Sequence, residues 1–158
     1  MPEIKSTIRP GPKTLASFGN VEMPVTWGDH FETLENGGYL EPVFTSGSNM
    51  TATNGHIYVR AGSVLVLSGN KRWQVLNQSA DSNSDGVADA LASLATLVGV
   101  LKTTVDLVDG GGRVGIHISG GFFATRMPSV TDNAVAGLEA TVKQGLRNRG
   151  FRFAEDYQ

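Results

Sequence analysis

The clearest pattern of hydrophobic and polar positions lies between residues 98 and 123. Apolar side chains alternate there with small or polar ones, and the glycine runs 110–112 and 120–121 interrupt the alternation. A period of two is typical of a β-strand with one buried face, and glycine runs are typical of tight turns. The stretch therefore predicts a strand, a glycine turn, a second strand, a second glycine turn and the start of a further strand.

Shorter apolar runs upstream predict additional strands. Residues 57–59, 63–67 and 72–76 are rich in side chains with high β-propensity. Residues 68–71, between the last two runs, have the composition of a hairpin turn. We therefore expect the regular core of the protein to begin at about residue 55.

Two segments place apolar residues at helical spacing. The first is 87–97, and the second is expected to begin at an N-cap, Thr131 or Asp132, and to end at Gly150. The apolar stripe of this second helix consists of Val135, Leu138, Val142 and Leu146. Residues 151–153 alternate once more and predict a last strand. The predicted class is mainly β with minor helix (α+β).

The first third of the chain has a different character. Three prolines interrupt residues 1–20, whose few apolar side chains form no continuous helical stripe. Residues 21–55 show little periodicity but contain several aromatic residues, which need burial either on this chain's core or on a neighbouring subunit. We interpret 1–20 as an extended N-terminal arm and 21–158 as one β-rich domain.

Composition and charge limit the kinds of partner that we expect for this protein. The chain has 158 residues, the length of one domain, and a net charge of −2 without a long run of charge. This charge gives no electrostatic footprint for nucleic acid, and no apolar run reaches the length of a membrane span. We therefore expect neither nucleic acid nor membrane as a partner. The absence of cysteine excludes disulfides and thiolate metal sites.

One loop has the spacing of a cation site. Asp81, Asn83 and Asp85 alternate and Gly86 follows, as in the first half of a calcium loop. The bidentate carboxylate expected at the twelfth position is absent, because Ala92 stands there. A polar turn that caps the following helix explains the same residues, so both interpretations stay open.

No other group of residues indicates chemistry. His30, His56 and His117 are scattered, and His117 falls on the strand face opposite Ile116 and Ile118, so we expect it to be exposed. No serine has the nucleophile-elbow spacing, and the acidic pairs near residues 29–32 and 155–156 are typical of solvated charges. We therefore expect no catalytic site, no metal and no cofactor, and predict that the protein is not an enzyme.

Several short motifs between residues 55 and 154 follow one another in a characteristic order. They are Ala61-Gly62-Ser63-Val64-Leu65, Asp85-Gly86, Gly99-Val100-Leu101, Val105-Asp106, Ser119-Gly120-Gly121-Phe122, and Pro128 followed by a helix and a short apolar strand. This order resembles the lambda-type head decoration (capsid cement) proteins of tailed bacteriophages. Residues 1–50 have no close counterpart there, and the loop 77–97 is longer.

The resemblance implies a fold, a partner and a location. It implies a small β-rich barrel or tulip-like core that assembles as a homotrimer. The trimer would bind the major capsid protein on the outside of the expanded capsid and stabilise the capsid against internal DNA pressure. It would be part of the virion, on the capsid exterior, after synthesis in the host cytoplasm.

In such proteins a flexible N-terminal segment orders on the capsid, and the proline-interrupted arm here suits that role. The residues expected to bind the capsid are Ile4, Lys5, Ile8, Arg9 and Pro10. An alternative from another class is a calcium-dependent, β-rich adhesion or receptor-binding module, which the spacing at residues 81–86 would support.

Overall fold

The computed structural model describes residues 13–14, 24–77, 91, 93–133 and 135–158. These parts of the chain are mainly β-structure with minor helix, so the predicted fold class is confirmed. The strands are β1 (Lys13–Thr14), β2 (Thr26–Phe44), β3 (Tyr58–Val59), β4 (Val64–Leu67), β5 (Trp73–Val75), β6 (Val98–Leu101), β7 (Val105–Asp106), β8 (Gly112–Phe122) and β9 (Phe151–Phe153). Helix α1 (Ala140–Arg147) precedes β9, and a 3-10 turn (Ala154–Tyr157) follows it. None of the described helices is both long and apolar enough to cross a membrane.

Five strands form a closed barrel. Their order is β2-β5-β4-β6-β8, and β8 pairs again with β2 to close the ring. The pairings are antiparallel except that between β2 and β5. Strand β9 joins the barrel from outside by pairing in parallel with the end of β8. A second sheet has the order β1-β7-β3.

Two hydrophobic cores lie on the two faces of the barrel strands. The barrel interior holds Trp73, Leu65, Leu101 and Ile116 among others. The second core lies between the barrel wall and the C-terminal elements, and its largest side chains with less than 2% exposure are Phe122, Phe153, Met127, Leu76 and Leu146. Strand β4 contributes to both cores, with Val64 and Val66 on one face and Leu65 on the other. Burial of both faces explains why this strand is a continuous apolar run instead of an alternating one.

The predicted hairpin and the last strand are confirmed. Strands β4 and β5 pair antiparallel, and the turn between them is closed by a hydrogen bond from the Lys71 amide to the Ser68 carbonyl oxygen. Gly150, with φ of +87°, ends the helical segment before β9, as expected of a residue in the left-handed region.

The prediction that residues 21–55 are irregular was wrong. Strand β2 is a 19-residue strand in this segment and pairs with both β8 and β5. Most of its side chains are exposed or half-buried, so the sequence shows no alternation. The partners of the aromatic residues are within the chain: Phe31 and Phe44 pack against its own cores.

The second predicted glycine turn was also wrong, because β8 continues through Gly120 and Gly121. Residues five positions apart on a regular strand point to opposite faces. The rings of His117 and Phe122 nevertheless lie 5.7 Å apart. The strand therefore changes face at the glycine pair, where Gly120 has φ of +134°.

Both helix predictions need correction. Helix α1 begins at Ala140, not at Thr131 or Asp132, because Gly137 has φ of +120° and interrupts any helix through that position. Val142 and Leu146 of the predicted stripe are buried, whereas Val135 is exposed.

The helix predicted at 87–97 falls partly outside the described residues. Leu91 is helical and buried, but residues 94–96 form a turn and bend. The side chains of Leu94 and Leu97 are exposed. The helix therefore does not extend to residue 97.

Candidate functional site

The sheet β1-β7-β3 is where residues near the N-terminus reach the described body of the protein. Lys13 and Thr14 pair antiparallel with Asp106 and Val105, and β3 pairs with the other side of the same two residues. Strand β7 is therefore central in this sheet. It receives backbone pairing from a segment almost a hundred residues away in sequence.

Asp106 fixes this sheet through its side chain. The carboxylate is 5% exposed and accepts a hydrogen bond from His56 Nδ1 at 2.7 Å. It also accepts from the amides of Ile57 and Val108, each at 3.0 Å. Burial alone would raise the pKa of Asp106, but these hydrogen bonds outweigh burial, so the pKa lies below its ordinary value.

Sequence reasoning missed the role of Asp106 and of its partner His56. The available signal was an aspartate between Val105 and Leu107 in an otherwise apolar run. A buried carboxylate needs donors, and the structure supplies them from β3 and from the chain after β7. The His56–Asp106 pair has a structural role, since the ring of Tyr58 also stacks on the His56 ring, with the two centroids 4.9 Å apart.

The residues predicted to bind the capsid are Ile4, Lys5, Ile8, Arg9 and Pro10. All five lie outside the described residues, as do Asp81, Asn83, Asp85 and Gly86 of the candidate calcium loop. Of the predicted arm, the structure describes only Lys13–Thr14, and these two residues form a strand.

A second surface feature is a group of exposed apolar side chains. Leu34, Leu94 and Leu97 are exposed by 36%, 69% and 60%. They line an open depression of about 680 Å³, whose base includes Ile118 and Phe151. We call these five residues the apolar surface. Exposed leucines grouped in this way are typical of a surface that contacts another protein.

The three histidines do not converge. His30 is almost fully exposed beside Asp29, His56 is bound to Asp106, and His117 lies in a buried position on β8. Within the described ranges, no three histidine, aspartate or glutamate side chains are grouped so that they could hold a metal ion.

The expectation that His117 is exposed was wrong. Its side chain does face away from Ile116, but Phe31 of β2 and Phe122 cover it, and the residue is 5% exposed. Nδ1 makes a hydrogen bond of 2.7 Å with the Thr33 hydroxyl. Burial lowers the pKa of His117 below its ordinary value, and the charge of Lys102 adds to this shift.

The acidic pairs have separate roles. Asp156 forms an ion pair with Arg147 at 2.6 Å and with Lys143 at 3.1 Å, and chiefly the Arg147 hydrogen bond lowers the pKa of Asp156 to about 2. Glu155 instead accepts hydrogen bonds from the amides of Ala124 and Thr125. Asp156 therefore attaches the C-terminal turn to helix α1, and Glu155 attaches it to the segment that follows β8.

Comparison with known proteins gives no family. No family model, no curated protein and no solved structure matches the chain. The resemblance to head decoration proteins therefore depends on the ordered motifs between residues 55 and 154. A function has to be argued from the surfaces described above.

Proposed function

We propose that the protein is a head decoration protein of a tailed bacteriophage. In this proposal a homotrimer binds the major capsid protein on the outside of the expanded capsid and stabilises the capsid against internal DNA pressure. The protein would act by binding alone, without catalysis, and would contact neither nucleic acid nor membrane. The alternative, a calcium-dependent module, depends on a loop outside the described residues and gains no support from the rest.

The observation that carries the proposal is the pairing of Lys13–Thr14 with Val105–Asp106. It supports a layout in which residues 1–12 start from a fixed point on a folded barrel. Asp106 strengthens that point, because its carboxylate joins β7 to β3 through the Ile57 amide and His56. A segment attached in this way is positioned to add backbone pairing to a neighbouring protein.

The apolar surface is a second observation that supports the same proposal. Three exposed leucines lie close together over Ile118 and Phe151, and contact with another protein would remove them from water. A trimer contact or a capsid contact at this surface would satisfy that requirement.

Trimer formation also explains how a short arm could bind well. Ordering backbone costs about 1–2 kcal/mol per residue, so one arm alone would bind weakly. Three arms on one trimer make the second and third attachments intramolecular, which can raise the affinity by a factor of about 10² to 10⁴.

The test is deletion of residues 2–12 with retention of Lys13–Thr14, so that β1 can still pair with β7. We expect the variant to stay folded with an unchanged oligomer mass in light scattering. Its affinity for purified expanded capsids should fall about 100-fold or more, as measured by sedimentation of bound protein.

Paired variants in the arm separate the two kinds of contact. Ile4→Ser with Ile8→Ser removes the apolar anchors, and Lys5→Ala with Arg9→Ala removes the charges. If the arm binds through apolar anchors, the first pair lowers affinity at every salt concentration and the second only at low salt. Unchanged capsid occupancy after the deletion would refute the role of the arm. Failure of the full chain to bind expanded or unexpanded capsids would refute the function itself.

A further inference from the structure

A shallow trough of about 810 Å³ opens on the surface where β2, β8 and β9 meet. Residues 27–32 of β2 form one wall, Ser119–Gly121 of β8 form the floor, and Gly150 and Arg152 beside β9 form the other wall. The trough is separate from the sheet β1-β7-β3 and from the apolar surface, since none of its lining residues belongs to either.

A wide bulge in β2 creates the trough. The register runs from Trp27 opposite Gly121 to Glu32 opposite Ser119, so residues 28–31 stand opposite the single residue Gly120. The two glycines cannot carry a side chain here. A Cβ on Gly120 would lie 2.8 Å from Phe31 Cε1, and one on Gly121 would lie 2.6 Å from the Trp27 carbonyl oxygen. The rings of Phe31 and Trp27 therefore lie directly against the glycine backbone and line the trough.

Aromatic rings lie at one end of the trough. The Trp27 indole stacks on the Tyr157 ring with centroids 5.4 Å apart and planes inclined by 29°. Tyr157 is 67% exposed and holds no core position. Trp27 lines the trough and is half-buried, and the exposed Tyr157 ring lies beside the lining, so the two rings together offer an apolar platform with polar edges.

Charged side chains surround the platform. In the part of the chain that the structure describes, neither the Glu32 carboxylate nor the Arg152 guanidinium takes part in a hydrogen bond or ion pair. Asp29 contacts only the neighbouring His30, and both side chains are at least 90% exposed. The trough therefore offers acceptors and donors that are free to bind a ligand.

We propose that this trough binds an oligosaccharide. The C–H face of a sugar ring stacks on a flat aromatic side chain, and its hydroxyl groups donate to carboxylates and accept from a guanidinium. The Phe31 ring is a second aromatic side chain in the lining. A glycan site on the outside of a phage head would hold the particle near a glycan-coated surface, which goes beyond capsid stabilisation.

The charges select the kind of saccharide. Asp29 and Glu32 contribute two negative charges against the one positive charge of Arg152, so neutral sugars and amino sugars fit better than acidic ones. A nucleic acid strand would bring phosphates beside both carboxylates, and the chain carries a net charge of −2. Charge complementarity thus favours a neutral or amino-sugar oligosaccharide.

The experiment titrates the full chain with three probes: maltoheptaose, chitohexaose and a polygalacturonate oligomer. The chain has two tryptophans, and Trp73 is buried at 4% exposure, so the Trp73→Phe variant reports on Trp27 alone. We expect maltoheptaose or chitohexaose to change its fluorescence and to release heat in calorimetry, and polygalacturonate to bind at least tenfold more weakly.

Two substitutions locate the site. Trp27→Ala should abolish binding, and Arg152→Ala should weaken it about tenfold. Arg113→Ala is the matched control, because Arg113 is exposed on the same strand as Ser119 but lies outside the trough. If Trp27→Ala does not fold, Arg152→Ala decides, since the exposed Arg152 side chain makes no hydrogen bond or ion pair within the described residues. The proposal is overturned if no neutral or amino sugar binds, if the acidic sugar binds best, or if Arg152→Ala binds like Arg113→Ala.

Discussion

Two pairs of glycines in the same barrel have different surroundings, one in the barrel interior and one at the surface. Gly38 and Gly99 face the barrel interior, where a Cβ would lie 2.7 Å and 3.3 Å from atoms of the Trp73 indole. Gly120 and Gly121 lie where β8 passes the bulge of β2, and the space they leave is taken by Phe31 and Trp27, which line a trough that is open to solvent. The first pair serves packing and the second pair shapes a surface.

The difference shows that the effect of replacing a glycine depends on whether its surroundings are buried or exposed. Around Trp73 every neighbour is fixed by others, because a protein interior is packed as densely as an organic crystal. At the bulge one side is solvent, so a displaced ring has somewhere to move. Equal steric conflicts should therefore cost more free energy at the first pair than at the second.

The largest expected effect comes from Gly38→Ala. The added methyl would overlap Ile116 and lie 2.7 Å from Trp73 Nε1, and both of these side chains are buried. We expect the free energy of unfolding to fall by about 3 kcal/mol, measured by urea denaturation. Gly69→Ala is the matched control, because a Cβ there meets nothing within 4 Å and the change should stay within about 0.5 kcal/mol. Equal losses in the two variants would contradict the packing role of Gly38.

An intermediate effect is expected from Gly121→Ala. The methyl would contact the carbonyl oxygen and the ring of Trp27, both at the edge of the trough. Because β2 is bulged beside this point and can shift, we expect a loss of only about 1–2 kcal/mol. In a Trp73→Phe background, Gly121→Ala should also change the fluorescence emission of Trp27, the one remaining tryptophan. A loss as large as that of Gly38→Ala would show that the two regions do not differ as proposed.

The smallest effect concerns His117, which lies between the two regions. The pKa of His117 is lowered in the folded protein, so the unfolded chain binds more protons as pH falls through the ordinary value of 6.5. The free energy of unfolding should therefore decrease from pH 7 downward and stop responding to this group below its folded pKa. His117→Gln should remove that part of the slope in urea titrations between pH 7 and pH 5. An unchanged slope would exclude His117 as its source.

Much of the fold could be predicted from local patterns. Strands β4, β6 and β9, the turn at residues 68–71 and the stop at Gly150 each follow from apolar runs and turn residues. The start of helix α1 could not be placed, because it depends on the φ of Gly137 and on the loop before it. The candidate sites were harder still, since two of the three donors to Asp106, His56 and the Ile57 amide, lie about fifty residues away in sequence, directly before β3.

Strand β2 and His117 show what local pattern could not provide. The 19 residues of β2 are mostly exposed or half-buried, so their strand conformation depends on backbone pairing with β8 and not on a hydrophobic face. Phe31 reaches His117 only because the bulge of β2 directs it there. The residues that neighbour Phe31 and His117 in sequence indicate neither the pairing of β2 with β8 nor the contact between the two rings.

Local patterns in the sequence indicate a mainly β protein with short apolar strands, glycine-rich connections and a C-terminal helix followed by a strand. These features depend on residues close together in the chain, whose side-chain alternation and backbone preferences act locally. The closure of the strands into a barrel, the burial of His117 and the trough at Gly120 and Gly121 follow from the tertiary structure alone. Each of these depends on β2 lying beside β8, and such long-range pairing is specified by the packing of the whole barrel.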